Sequence, residues 1–470
     1  MLKFKKFRLG DYKQVTYYRS LSDIKTCELS AGTLYMWRSY YKPSYAIIEN
    51  TMIVKKESEG NQAFFFFPLG ENVDAALDAI DDYVIKNSKD LVFVGVEDSY
   101  IDILKKRYNG KIRYENKRAW CDYIYDAKEF REFKGKKYDG QRNHINAFLR
   151  LYPDHKVKAF TESDVPRAIE LLREYAKEKG LKTKMARSEF KKSKEATENF
   201  SRLSLTGIYV EINGKMVSYS LSEKCGKTQI IHVEKALRSY KGLYPFTANA
   251  MAKYTDAELL NREDDSGDLG LRKSKLQYKP IYLLNRNVVT VLRPETSIKH
   301  IPTLFVENLI VSRITDEDLE NYLLLNVDDQ NNKWWGYDYR NDIKNPTKEA
   351  FKRMLEEDFN KRHSFSFGIH LNGNLIGEAV FYNFKIGGEC EVGLRLFKEY
   401  QGKGYGKKVF KRVSDFLIYE LKMSTLHAKC FKQNIASKGM ITYSGFTMHS
   451  EDDKFFYFKR NSSLLCEKGH

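Results

Sequence analysis

Alternating apolar and polar positions around tight Asn-Gly turns organise this chain. At 207–221, "GIYVEINGKMVSYSL" reads as strand, Asn213-Gly214 turn, strand, and at 367–381 "FGIHLNGNLIGEAVF" does the same around Asn372-Gly373. An Asn-Gly pair tolerates the positive φ that a two-residue hairpin turn needs. Each hairpin is followed by a third strand, a Tyr-x-Gly loop and an amphipathic helix. The two stretches are "HVEKALRSYKGLYPFTANAMAKY" (232–254) and "EVGLRLFKEYQGKGYGKKVFKRV" (391–413). From Asn213 to Tyr240 is 27 residues and from Asn372 to Tyr400 is 28, which predicts one supersecondary unit used twice. A fainter copy stands at the start, where "SYAIIENTMIVKK" and "QAFFFFPLGENVDAALDAIDDYVIKN" give strand, turn, strand, strand, loop, helix. In that helix, at 71–86, Val73, Ala76, Leu77, Ile80 and Val84 form one apolar stripe. Val409, Val413, Phe416, Leu417 and Leu421 form another in the last copy.

The pattern predicts a mixed α/β (α+β) chain of three like folds at 1–130, 131–295 and 301–460. Each is expected to be a twisted, mostly antiparallel sheet flanked by helices. "FKGKKYDGQRNHINAFLRLYPD" (133–154) reads as a basic linker entering a helix, and the proline-bearing stretch 281–305 reads as the boundary before the third fold. A length of 470 residues with 42% hydrophobic content supports several packed cores. No apolar run reaches the roughly 18 residues of a membrane span, and the basic N-terminus lacks a signal-peptide core, so a cytoplasmic protein with no transmembrane segment is expected. Six scattered cysteines without metal spacing lead us to expect neither a metal site nor a disulfide framework.

Charge divides the chain unevenly. Residues 301–470 hold 25 Lys+Arg against 23 Asp+Glu, whereas residues 1–300 hold 55 against 40. The first two-thirds therefore suit a polyanionic partner, a tRNA or an anionic surface, although a solvated basic surface explains the same balance.

The candidate chemistry lies in "EYQGKGYGKKVF" (399–410). Strand, glycine loop and helix N-terminus together make a pyrophosphate cradle, because glycines let backbone N–H groups approach the oxygens and the helix dipole favours an anion. Lys403, Lys407 and Lys408 add positive charge. The spacing Gln401-x-x-Gly404-x-Gly406 resembles the acetyl-CoA loop of the GNAT acetyltransferases. The likeness extends over 305–460 and includes "FKQNIASKGMITYSGF" (431–446), as in the RimJ/RimL-like branch. It implies that Gln401, Gly402, Lys403, Gly404, Tyr405, Gly406, Lys407 and Asn434 hold acetyl-CoA (acyl-CoA), with the backbone of Leu394 and Leu396 along the pantetheine arm. It also implies transfer to an amine-bearing acceptor. Glu391 is the candidate general base, with Ser437 and Tyr443 the candidate proton donors, since the usual tyrosine position holds Ile441. "NNKWWGYDYRND" (331–342) offers four aromatics that serve either as an acceptor wall or as a packing cluster.

In the second copy the loop reads "YKGLYPFTA", with one glycine and then Pro245, a poor cradle. Residues 3–290, above all "NREDDSGDLGLRKSKLQYKP" (261–280), resemble the catalytic domain of phosphatidylglycerol lysyltransferase, a tandem of GNAT-like folds related to the Fem aminoacyltransferases. That resemblance implies an aminoacyl-tRNA donor, with Glu263, Asp264 and Asp268 toward an ammonium and Arg272 and Lys275 toward phosphate or an oxyanion. Glu234 and Tyr240 are further substrate-binding candidates. An ion-pair knot explains the same charged residues. The leading expectation is an acyltransferase, EC class 2.3, with a second, aminoacyl-tRNA-dependent activity. The alternatives are a non-catalytic nucleic-acid- or partner-binding module in the first 300 residues, or a CoA-sensing regulator.

Overall fold

The computed structural model describes residues 2–181, 183–336, 343 and 345–462. The chain forms two compact units. One comprises the residues through Tyr83 with Leu91–Ile103 and Tyr114–Thr290; the other comprises Val84–Asp90, Leu104–Arg113 and the chain from Val291 onward. The fold is mixed α/β, with three sheets flanked by helices.

The sheet that opens the chain has eight strands, among them Ser44–Ile48, Thr51–Lys55 and Gln62–Phe66. The helix Val73–Lys86 covers part of it, and Ala76, Leu77, Ile80 and Val84 are fully buried, as their spacing predicts.

The second sheet, of seven strands, is built around the hairpin Thr206–Ile212 and Lys215–Cys225 and the strand Thr228–Ala236. Neighbours are antiparallel except where Thr228–Ala236 meets Leu259–Asn261 in parallel. The third sheet repeats that arrangement. Ser364–Leu371, Asn374–Lys385 and Glu389–Leu396 are antiparallel neighbours, and Glu389–Leu396 then runs parallel to Thr425–Phe431. The central strands of both sheets are almost wholly buried, while the Asn-Gly turns lie at positive φ.

Sheet membership departs from the expected boundaries at 130 and 295. Strand Asp122–Asp126 belongs to the second sheet, between Leu259–Asn261 and Tyr282–Leu284. Strand Asn287–Val291 returns to the first sheet beside Asp90–Val96. Backbone pairing is non-local, so pattern along the chain does not reveal which sheet a short strand joins. The stretch 133–154 is also more than a linker. Phe133 and Tyr138 are buried against Phe130 and Tyr278, and Phe148 from the helix Asp139–Leu151 stacks on Phe246 with ring centroids 4.4 Å apart.

Candidate functional site

In the second unit, parallel pairing between Glu389–Leu396 and Thr425–Phe431 covers only Glu389, Cys390 and Glu391 against Thr425, Leu426 and His427. Beyond Glu391 this ladder stops, so along 392–396 the strand is no longer paired with Thr425–Phe431. At the end of the strand the chain turns through Lys398–Tyr400 and enters the helix Tyr405–Asp415. Gly402 and Gly404 lie at φ +75° and +82°, and a Cβ on either would meet nothing within 4 Å. The loop is thus open on its outer side and needs glycine for its backbone rather than for space. Gly406 differs, since a Cβ there would touch Leu394, Leu396 and Met440 at 3.4–3.6 Å. The helix is carried as expected by Val409, Val413, Phe416 and Leu417, and widens into a π turn over Phe416–Glu420.

The other candidates fall around this slot. Gln401 donates from Nε2 to the Leu396 carbonyl at 2.9 Å, which ties the loop back to the strand. Lys403 lies over Tyr400 and Lys407 over Tyr443. Asn434 caps the helix Ile435–Tyr443 by accepting from the Ser437 N–H at 3.0 Å. Glu391 accepts from Asn383 Nδ2 at 3.1 Å through Oε1, while its shielded Oε2 takes no hydrogen bond and faces Lys429 Nζ at 4.0 Å. Tyr443 is 55% exposed and lies beside the loop helix. Of the aromatic stretch, Trp335 leans on Gly393, whose Cβ would meet the indole at 3.2 Å, and Trp334 packs 5.6 Å from Phe431. Both tryptophans thus border the diverging strands. Tyr337 and Tyr339 lie outside the described residues. Arg395, beneath Trp335 at 4.5 Å, is buried on Glu378, which also accepts from Tyr322 at 2.8 Å.

In the first unit, the acidic and basic candidates of 261–280 are mostly engaged in structure. Asp268 caps the helix Leu269–Gln277 by accepting from the Leu271 N–H. Arg272 pairs with Asp265 at 2.8 Å, which holds that carboxyl well below the usual range despite its burial. Lys275 Nζ donates to the carbonyls of Arg262, Glu263 and Asp264; burial, and then the Arg262 charge, depress its pKa. Asp264 pairs with the buried Arg286. Glu234 pairs with Arg262, whose guanidinium lies over the rings of Tyr278 and Phe130, and Tyr240 packs 5.3 Å from Tyr152. Only Glu263 of this group reaches a different kind of partner: its Oε1 lies 2.8 Å from His232 Nδ1.

Sequence reasoning missed the groups beneath Glu263. His232 Nε2 lies 3.3 Å from Glu223, and that carboxylate also accepts from the backbone N–H groups of Ala31 and Gly32. Burial alone would lower the His232 pKa, but the two carboxylates outweigh it and raise it to about 9. Nearby, Cys27 meets both Asp122 and Arg286, and burial drives its thiol pKa well up. The sequence signal is weak, since Glu223 and His232 stand beside other titratable residues in "YSLSEKC" and "QIIHVEKA" and only their burial sets them apart. The five described cysteines are free and buried, and among the described residues no cluster suits a metal. No described helix is long and apolar enough to cross a membrane.

In the second sheet the corresponding loop is closed by packing. Gly242, at φ +78°, is pressed so close to the His144 carbonyl that a Cβ would collide with it. The helix Asp139–Leu151 fills the place that is open beside Gly402 and Gly404, with Phe148 and Ile145 packed under Tyr240 and Tyr244.

One glycine loop beside splayed parallel strands, and one related sheet with that place filled, are features of acyltransferase folds. Comparison with known families agrees. The family "Phosphatidylglycerol lysyltransferase, C-terminal" matches residues 19–289, more than half of the chain, and the chain belongs to it. "Acetyltransferase (GNAT) domain" matches residues 308–447. A crystal structure of a conserved protein of unknown function from Bacteroides thetaiotaomicron is similar with a TM-score of 0.58 and 29% identity, over 62% of this chain and 100% of that one. An uncharacterized protein of Mycoplasmoides gallisepticum is 27% identical over 201 residues, 41% of this chain and 62% of that protein. The acetyltransferase PseH of Campylobacter jejuni is 30% identical over 107 residues, 23% of this chain and 64% of that protein. The chain thus spans under two thirds of either curated relative.

Proposed function

We propose that the fold at 301–460 transfers an acyl group, acetyl in the simplest case, from acyl-CoA to an amine. The observation that carries this reading is the slot itself: a parallel ladder that ends at Glu391, followed by an open glycine loop at a helix N-terminus. Bound there, the CoA thioester supplies an activated acyl group. The loop N–H groups of 402–407 hold the pyrophosphate, with Lys403 and Lys407 as counter-charges, and the strand at Leu394 and Leu396, beyond the end of the parallel ladder, lines the pantetheine arm. Gln401 and Asn434 act by positioning, since their side chains are spent on the Leu396 carbonyl and the Ser437 N–H. Glu391 takes the proton of the attacking amine through its unbonded Oε2. Ser437 is the donor to the departing sulfur, and Tyr443 is assigned no proton step. Trp334 and Trp335 form the acceptor wall. The test is thiol release from acetyl-CoA against an amine panel; Glu391→Gln should lower kcat by about 100-fold or more with CoA affinity retained. Tight CoA binding with no turnover would instead favour a CoA-sensing role.

For the first unit the reading is transfer of an aminoacyl group from a charged tRNA. The basic balance of residues 1–300 and the filled CoA position on the second sheet support it. A second reading, a non-catalytic nucleic-acid- or partner-binding module, is favoured by the structural engagement of Asp268, Arg272 and Lys275. Binding of bulk tRNA to the full chain across salt, against single-stranded DNA of equal charge, separates a specific partner from a merely basic surface.

A further inference from the structure

The geometry points to a second acyl-transfer centre in the first unit, in which Glu263 accepts the proton of an amine or hydroxyl nucleophile and His232 positions it over Glu223. This rests on the aminoacyl-donor reading and gives that activity its residues.

Four observations converge on the place. Strands Thr228–Ala236 and Leu259–Asn261 are paired in parallel only at 228–230 against 259–261 and then part, as the strands beside Glu391 do. His232 is the residue the neighbouring ladder skips, since Leu221 pairs with Val233 and Ser222 with Ile231. A bulge of this kind turns a side chain out of its regular alternation, and bulges collect beside active sites. Glu263 follows two residues after the end of the partner strand, at φ +57°. A non-glycine residue in that region is strained, and here the Asn261 side chain fixes it by accepting the Glu263 N–H at 2.7 Å. Gly32 comes so near that a Cβ would stand 2.5 Å from His232 Nε2. The imidazole therefore has one available position.

Exposure falls inward along the three groups. The Glu263 side chain keeps 27% of its surface, His232 none and Glu223 1%. Glu263 Oε1 is held by His232, and among the described residues Oε2 takes no hydrogen bond. Lys192 sits at the same mouth, on the face of Trp37 and within electrostatic reach of Glu263. Its charge suits an oxygen that becomes negative during transfer.

The step balances without another reactant. The nucleophile's lone pair forms a bond to the ester carbonyl carbon of the aminoacyl group while its proton passes to Glu263 Oε2. The bond from that carbon to the ribose oxygen breaks, and the departing oxygen takes the proton back from Glu263. The imidazole of His232 stays hydrogen-bonded between Glu263 and Glu223 throughout, which holds Glu263 in place between turnovers.

The test uses the full chain, a pool of aminoacylated tRNAs and hydroxylamine as the surrogate nucleophile, with aminoacyl hydroxamate as readout. Glu263→Gln should lower the rate by about 100-fold or more, with tRNA affinity unchanged and the folded circular-dichroism spectrum retained. His232→Gln should lower kcat more than it raises KM, and Glu263→Asp should recover part of the rate. If Glu263→Gln matches the wild type, or charged tRNA is bound and never deacylated, the proposal falls. If no tRNA binds at all, the donor reading is what fails. An amino-acid p-nitrophenyl ester with hydroxylamine then judges Glu263 by itself: a rate that depends on Glu263 upholds the centre, and an inert protein overturns it.

Discussion

At the scale of single residues, the buried His232 carries the clearest consequences. It is flanked by Glu223 and Glu263, and its folded-state pKa of about 9 lies above the ordinary imidazole value. The stability from its protonated form is therefore fully present below about pH 6.5 and is lost as pH rises through about 9. Glu223 runs the other way: burial would raise its pKa, but the His232 hydrogen bond leads the effects that lower it. Its contribution is present above the ordinary carboxylate pKa and lost as pH falls. Urea unfolding at pH 6, 8 and 10 should show stability falling over both intervals, more over the first than the second, with a flatter profile for His232→Gln. Gly32 belongs to the same site. Gly32→Ala drives a methyl into an imidazole that has carboxylates on both sides, and should cost about 1–3 kcal/mol in denaturant unfolding.

At the scale of elements, the two Tyr-x-Gly loops make a controlled pair. Gly404 and Gly242 both lie near φ +80°, but only Gly242 is pressed against other backbone. Gly404→Ala should cost about 1–2 kcal/mol from backbone strain alone and weaken CoA binding several-fold by calorimetry. Gly242→Ala adds a collision with the His144 carbonyl, so its loss in melting temperature should be clearly the larger, with CoA binding untouched. Equal losses would mean that the helix Asp139–Leu151 moves aside, and that the second sheet is not closed to a cofactor. The glycine that survives in the degenerate loop is thus retained for close packing, where the other glycines serve an open cradle.

At the scale of the whole molecule, the proposed functions give each unit its own ligand chemistry. CoA at about 100 times its Kd should stabilise the fold that binds it by about 2.7 kcal/mol, and hydrogen exchange should slow across 389–407 without a matching change around His232 and Glu263. The basic balance of residues 1–300 predicts that tRNA affinity falls steeply with salt, by roughly tenfold or more between 50 and 200 mM. An affinity insensitive to salt would argue that phosphate contacts contribute little.

Periodicity and turn chemistry along the chain determined the hairpins, the apolar stripes of Val73–Lys86 and Tyr405–Asp415, and the glycine cradle, because each depends on residues within a few positions of one another. The departure of the second copy was legible for the same reason: Pro245 stands where the third copy continues its glycine loop. Tertiary structure alone decided which sheet takes Asp122–Asp126 and Asn287–Val291, since strand pairing joins residues far apart in sequence. It alone brought Glu223, His232 and Glu263 together from two strands and a loop, and gave Asp268, Arg272 and Lys275 structural partners instead. A charged residue's partner is set by burial and by what the fold delivers within about 3 Å of it. Composition and spacing can identify the charge, but only the packed chain selects what neutralises it.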